Sequence, residues 1–188
     1  MKKNISVLLF FIVTCIVLLA FRTVNSIYKV TDGKITFVSE ASFETITAFS
    51  EKLNGMMDTS NQEFAFFVAN KSFEGFNGLL QREHFNESYL ESDKNPKSFF
   101  TGRIIEKIIF SKPGIFYVRA KGLLMIHGVE QERIIKCVLL IENGTIKVTS
   151  KFSVFLADHD INVPRIVFEK ISPEIKIQVE AVMHEKIE

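Results

Sequence analysis

Four histidines are the first residues to test for catalysis or metal binding. They are His84, His127, His159 and His184, and no two of them stand at the spacing of a metal motif such as HExxH. His159 is flanked by aspartates, a pattern more typical of a solvated turn than of a cation site. His127 precedes Gly128 in a predicted turn, where an imidazole can bind a neighbouring backbone group and fix the loop. The sequence therefore predicts structural roles for the histidines and not catalysis or metal binding.

The other side chains that could act as nucleophiles also lack the surroundings of a catalytic site. Cys137 lies in the middle of a predicted strand between apolar neighbours, and such surroundings raise the pKa of a thiol and lower its reactivity. No serine stands in a G-x-S-x-G elbow, and no glycine-rich stretch matches a phosphate-binding loop. The sequence therefore predicts no enzyme, no cofactor and no metal site.

The N-terminus has the layout of a secretory signal. Lys2 and Lys3 precede an apolar run from Ile5 to Phe21, and Val24 and Ser26 suit the −3 and −1 positions of a cleavage site. We therefore expect residues 1–26 to be a signal peptide and residues 27–188 to form one domain. The apolar run approaches the roughly 20 residues that span a bilayer, so an uncleaved anchor is the alternative.

The chain that remains after cleavage is close to electrical balance. Three of the 23 basic residues, Lys2, Lys3 and Arg22, belong to the signal. The remaining 20 basic residues and the 22 acidic residues give a net charge of 20 − 22 = −2. Nucleic acids select for clustered basic residues, so we expect no nucleic-acid partner. A single cysteine remains, which excludes an internal disulfide. The 19 Phe against three Tyr and no Trp indicate an interior that needs few hydrogen-bond partners.

After residue 33 the sequence predicts strands separated by turn signals. The alternation of apolar and polar residues with a period of two, which is typical of strands, is clearest in residues 146–156 and 174–184. Asn143-Gly144 predicts a two-residue hairpin, because both central residues of a type I′ turn have positive φ. Asn54-Gly55 predicts another turn on the same grounds. The eight predicted strands cover residues 34–40, 42–52, 62–69, 99–109, 115–126, 132–142, 146–156 and 174–184.

Two short helical segments, near residues 79–90 and 164–170, interrupt these strands. A meander of eight antiparallel strands hides its edges best by closing into a barrel, whose interior is filled by side chains or holds one small ligand. A sandwich of two sheets is the alternative. Connection by hairpins favours the barrel. The predicted fold is therefore all-β, an antiparallel eight-stranded barrel with one or two short helices.

Two stretches resemble signatures that are typical of the YceI-like family. The first resembles a helix end, an acidic spacer and a step into a strand; its residues are Arg82, His84, Ser88, Tyr89, Leu90, Glu91, Lys94, Asn95, Pro96 and Phe100. The second resembles a strand that ends in Gly-x-Leu-Thr-Ile-His-Gly-Val; its residues are Gly122, Leu124, Met125, Ile126, His127, Gly128 and Val129, with Met125 in place of the usual Thr. The similarity in order and spacing extends from about Ile27 to Glu185.

The resemblance implies a lipocalin-like barrel with a central tunnel that takes a long isoprenoid or related amphiphile, usually in the periplasm. Taking one inward face from each strand gives the candidate lining: Phe64, Phe66, Phe100, Ile104, Phe116, Val118, Leu124, Val148, Phe152 and Val154. His127 and Gly128 are predicted to hold the turn between two strands of the wall.

The resulting hypothesis is a protein exported to the periplasm or beyond the cell, which holds an isoprenoid-like or fatty-acyl ligand for transport or storage. The alternative is a structural or interaction barrel with a filled core and no ligand. A membrane partner is expected only through the N-terminal segment, if that segment is not cleaved. The oligomeric state is left open, a dimer included.

Overall fold

The computed structural model describes residues 27–186, so the predicted signal peptide at residues 1–26 lies outside the described part. Antiparallel strands make up most of this part. They are β1 (Ile27–Glu40), β2 (Thr45–Ser50), β3 (Asn54–Asp58), β4 (Glu63–Ala69), β5 (Lys97–Ile104), β6 (Gly114–Ile126), β7 (Val129–Glu142), β8 (Thr145–Phe155) and β9 (Glu174–Glu185).

These strands form a closed barrel with eight strand positions. β1 pairs with β9 along most of its length, which joins the two ends of the sheet. β2 pairs with the C-terminal part of β1 and β3 with its N-terminal part, so the two are halves of one strand that is broken at residues 51–53. The predicted eight-stranded antiparallel barrel is confirmed. The β1–β9 pairing closes the sheet on itself, which protects most of the strand edges that an antiparallel meander of this size would otherwise expose.

Two tight hairpins have the geometry that their residues favour. Asn143 and Gly144 have φ of 51° and 73°, and His127 and Gly128 have φ of 54° and 76°. Positive φ at both central residues defines the type I′ turn, whose twist matches that of paired strands. The hairpin prediction at Asn143-Gly144 is therefore confirmed, and His127-Gly128 links β6 to β7 in the same way.

The turn predicted at Asn54-Gly55 is wrong. Both residues lie in β3, where Gly55 pairs with Phe66. A Cβ on Gly55 would lie 2.6 Å from the ring of Phe66, so this glycine makes room for a neighbouring aromatic side chain instead of a tight turn. The turn comes later, at residues 59–62, where Gln62 has a φ of 64°.

Short helical elements gather at one end of the barrel, here called the mouth end, where β1 and β8 end and β9 begins. α1 (Leu79–His84) continues into a π-helical turn (Phe85–Tyr89), which confirms the first predicted helical segment. A 3₁₀ turn at Arg165–Val167 confirms the second. Two more 3₁₀ turns are Asn70–Ser72 and Leu156–His159.

The opposite end of the barrel is filled with packed side chains. Ile146 and Met183 are fully buried there, and Val30 faces Met183 across the β1–β9 pair. These residues occupy inward positions with the period of two that the sequence shows. The packed end therefore supplies stability, while space remains towards the mouth end.

Candidate functional site

An apolar cavity of about 130 Å³, here called the barrel cavity, lies in the middle of the barrel. Its polar lining is limited to Ser98, Ser150 and the Cys137 thiol. Its other lining residues are Ile35, Leu53, Met57, Phe64, Phe66, Phe67, Val68, Phe99, Phe100, Ala120, Leu124, Ile126, Ile135, Leu139, Val148, Phe152, Val154, Ile177 and Val179. Such a lining binds by removing apolar surface from water and offers few directional contacts.

The structure brings seven of the ten predicted lining residues together around this cavity: Phe64, Phe66, Phe100, Leu124, Val148, Phe152 and Val154. The other three, Ile104, Val118 and Phe116, lie in or against the packed core. They are on the strand faces that the alternation indicates, but closer to the filled end. Alternation therefore identifies the face of a strand and gives no information about the depth at which packing stops.

Several lining residues were missed by the sequence reasoning. Ile177 and Val179 on β9 and Ile135 on β7 face the cavity, although neither strand contributed a candidate. The sequence pattern could have identified them, because they belong to the alternating apolar faces of these two strands. Leu53 lies in the break between β2 and β3, where no periodic pattern marks it.

A second cavity of about 310 Å³, here called the mouth cavity, lies between the mouth end of the barrel, α1 and the segment after β8. Its apolar lining residues are Phe37, Ile46, Phe76, Leu80, Phe85, Leu90, Leu156, Ile161, Val167, Ile171 and Ile175. Its polar lining residues are Ser39, Glu44, Gln81, His84, Tyr89 and Lys170. The Gln81 amide donates to Glu44 Oε1 over 2.6 Å, and burial raises the pKa of Tyr89. None of these polar residues was predicted as a ligand contact.

The lining residues of the two cavities, all drawn from residues 27–186, do not overlap. On β1, Ile35 lines the barrel cavity and Phe37 lines the mouth cavity. The Phe37 ring stacks on Phe85 with centroids 5.4 Å apart, and it also contacts Phe73 and Phe76. Two cavities therefore stand where the resemblance implied one tunnel. Since Ile35 and Phe37 lie two residues apart on the same face of β1, this aromatic cluster borders the mouth cavity on the side next to the barrel cavity.

The wall of the barrel has a seam between β7 and β8. Backbone pairing of these strands ends at Cys137 and Ser150, although both strands continue towards the mouth end. Side chains bridge the seam beyond this point. The Arg133 guanidinium donates to the Ser153 carbonyl over 2.7 Å, and the Gln131 amide donates to the Asp158 carbonyl over 2.6 Å. The barrel wall next to Phe152 is thus held by side-chain bonds in place of a β ladder.

The two stretches that resemble the YceI-like signatures contact each other at the mouth end. Gly128 lies against Asn95, and a Cβ on Gly128 would lie 2.9 Å from Asn95 Oδ1. His127 Nε2 lies 3.4 Å from the Glu91 carboxylate. The buried Asn70 fixes the same segment, because its side-chain amide donates to the Asn95 carbonyl over 2.7 Å. Both signatures therefore position the helical cover over the barrel.

His127 and His159 bind backbone carbonyls across this region. Nδ1 of His127 donates to the carbonyl of His159 over 3.0 Å, and Nδ1 of His159 donates to the carbonyl of Val129 over 3.0 Å. His159 is fully buried, and its Nε2 has no hydrogen-bond partner among the described residues. A solvated turn at His159, as the aspartates suggested, is therefore wrong: the ring is part of the core.

The described residues include no cluster of three or more His, Cys, Asp or Glu side chains that is suited to a metal ion. Burial raises the pKa of the Cys137 thiol, which disfavours the thiolate. Within residues 27–186, no helix is both long and apolar enough to cross a bilayer. The described residues therefore form a site that is suited to binding apolar groups.

Comparison with known proteins agrees with this fold. The model of the YceI-like domain matches residues 19–183. Among solved structures, a polyisoprenoid-binding domain from Saccharophagus degradans is similar, with a TM-score of 0.72, 12% identity, and coverage of 85% of this chain and 98% of that one. BcnA from Burkholderia cenocepacia has a TM-score of 0.67 at 12% identity, covering 80% and 95%. The YCEI protein of Campylobacter jejuni has a TM-score of 0.54 at 14% identity, covering 70% and 78%. No curated protein matches.

Proposed function

Since the chain belongs to the YceI-like family, we propose that it is a binding protein that holds a long apolar ligand in its barrel. The ligand class is an isoprenoid-like or fatty-acyl chain. The observation that carries this proposal is the barrel cavity, whose lining is apolar except for Ser98, Ser150 and the Cys137 thiol. A similar structure is described as a polyisoprenoid-binding domain, which supports the same ligand class here.

The energetics favour a chain that extends through both cavities. Removing a CH₂ group from water contributes about 0.8 kcal/mol. The barrel cavity, at about 130 Å³, is close in size to engineered cavities of about 150 Å³ that accept benzene, so it holds only part of a long chain. The mouth cavity, at about 310 Å³, supplies the remaining space. A long ligand therefore displaces the Phe37 ring and joins the two cavities.

The polar residues of the mouth cavity suit the other end of such a ligand. Lys170, His84 and Tyr89 line this cavity, whereas the barrel cavity has only two serines and a thiol. A head group with oxygen atoms can accept hydrogen bonds from these side chains, whereas the barrel cavity offers fewer donors. We therefore orient the ligand with its apolar tail towards the packed end and its head group at the mouth.

Export and a role in transport or storage complete the proposal. The basic, apolar and small-residue layout of residues 1–26 supports export to the periplasm or beyond the cell. In such a compartment, a water-insoluble chain needs a carrier or a store between membranes. No side chain in the proposal performs a chemical step on the ligand.

Mass spectrometry of protein purified from its native host tests this function. Organic extraction is expected to release a lipid with a long apolar chain, and delipidated protein is expected to take up a fluorescent polyene fatty acid. The intact mass in the same experiment reports whether residues 1–26 are retained. An extract free of lipid, together with no uptake of the polyene, would contradict the proposal.

Two observations favour the alternative, a barrel with a structural or interaction role. The packed end is filled, and the barrel cavity alone is smaller than the roughly 300–1,000 Å³ of most ligand pockets. In that case the cavities are packing defects and exchange no ligand. The same uptake experiment separates the two functions.

A further inference from the structure

Large apolar side chains are exposed around the opening of the mouth cavity. They come from the β1–β2 connection, the start of α1 and the turn after β8; they are Phe43 (74% exposed), Leu79 (85%), Leu80 (62%), Ile166 (91%) and Phe168 (55%). We call these five residues the rim. An exposed apolar group of this kind marks an interaction surface more often than a chance excess of hydrophobic residues.

Contacts among the three segments place the rim around one opening. The backbone N–H of Phe43 donates to the carbonyl of Glu169 over 2.9 Å, which joins the first segment to the third. Leu80 and Val167 line the mouth cavity, and so does Glu44, which follows Phe43 in the chain. Leu80 is also largely exposed, so the cavity reaches the surface at the rim.

We propose that the rim docks on the surface of a phospholipid bilayer, with the opening of the mouth cavity against the lipid. This inference rests on the proposed function, because a ligand with a long apolar chain resides in membranes when it is not bound. The exposed rim side chains adjoin the mostly apolar lining of the mouth cavity, so docking lets such a chain pass from the bilayer into this cavity with little exposure to water.

A bilayer fits the rim better than a second protein does. A standard protein interface uses roughly 20–30 residues a side with close shape complementarity, whereas the rim presents five side chains from three separate segments. Apolar side chains partition into the boundary between head groups and acyl chains without a matching surface. The rim also extends the expectation from sequence, in which the only membrane contact was the N-terminal segment.

A dye that senses polarity tests docking at the rim itself. Ile166→Cys is labelled with bimane in the full chain after Cys15→Ser and Cys137→Ser, and vesicles of phosphatidylcholine and phosphatidylglycerol are added. The matched control is Ile134→Cys, at a 55% exposed position on the outer face of β7. A blue shift of emission is expected at the rim position and not at the control. Because the contact is apolar, the shift is expected to persist at high salt.

A second pair of variants gives the size of the effect. Leu79→Ser with Phe168→Ser is expected to raise the lipid concentration needed for half of the shift at position 166 at least tenfold. Ile115→Ser with Ile134→Ser, at exposed positions on β6 and β7, is expected to leave it unchanged. All four positions are exposed, so folding is expected to be retained.

Three results would overturn docking: no shift at position 166, equal shifts at positions 166 and 134, or a dimer in light scattering that the rim serines dissociate. Uptake of a polyene fatty acid added from ethanol separates this inference from the proposed function. Polyene uptake without a shift at the rim means that the protein binds the ligand but does not dock. A shift at the rim without uptake would instead contradict the proposed function.

Discussion

Replacing Phe152 by Ala distinguishes a wall of a cavity from a packed core. The Phe152 side chain is partly exposed, lines the barrel cavity and lies beside the unpaired seam between β7 and β8. In a fully packed core, Phe→Ala costs about 3–5 kcal/mol of unfolding free energy. One side of this ring already faces empty space, so part of its van der Waals contacts is absent. We therefore expect a cost of about 2 kcal/mol for Phe152→Ala.

The matched control is Ile146→Ala at the packed end. Ile146 is fully buried, and its removal is expected to cost about 2–5 kcal/mol, towards the upper part of that range. Urea unfolding of delipidated protein, followed by circular dichroism, measures both variants; equal slopes against urea would show that the unfolded states are comparable. Phe152→Ala is also expected to accept bulkier polyene ligands, and Ile146→Ala is not. A cost above that of Ile146→Ala with unchanged uptake would refute the reasoning and favour a filled core.

Three further substitutions test other parts of the account. Phe37→Ala removes the ring that borders the mouth cavity on the side next to the barrel cavity, so affinity for long chains is expected to rise relative to that for short ones in a competition assay; equal changes for both lengths would contradict a junction there. Arg133→Ala removes the bond to the Ser153 carbonyl, so it is expected to cost about 1.5–3 kcal/mol and to speed release of a bound polyene, measured by urea unfolding and stopped flow; unchanged release would show that the seam stays closed. Gly128→Ala places a methyl group 2.9 Å from Asn95 Oδ1 at a φ of 76°, so it is expected to cost about 1–3 kcal/mol. Asn95→Ala in the same chain is expected to recover only the steric part of that cost, and full recovery would exclude backbone strain.

The barrel could be predicted from sequence because its signals are local. Alternation along β8 and the demand for positive φ at Asn143-Gly144 are fixed by residues that lie close together in the chain. The turn predicted at Asn54-Gly55 was wrong, because this glycine makes room for the Phe66 ring on the next strand. Such a contact depends on strand register, which a short sequence window does not contain.

The site was predictable only in part for a similar reason. Inward residues of β4, β5 and β8 were found from alternation, but Ile104 and Val118 proved to lie in packed core. The mouth cavity was missed, because many of its residues come from α1 and from connections without a period, and its strand residues, such as Phe37 and Ile175, lie on strands that contributed no candidate. Gln81 and Glu44, for example, are 37 residues apart and meet only in the folded chain.

The position of a bound chain inside the barrel is the most direct test of the central claim. The sequence has no Trp, so Phe152→Trp introduces a single indole into the wall of the barrel cavity, and Tyr117→Trp introduces one at a 79% exposed position on β6. A fatty acid brominated in mid-chain quenches an indole only on near contact. We expect strong quenching of Phe152→Trp that saturates at one ligand per protein, with little quenching of Tyr117→Trp. Equal quenching of both, or none of Phe152→Trp, would contradict a ligand held in the barrel.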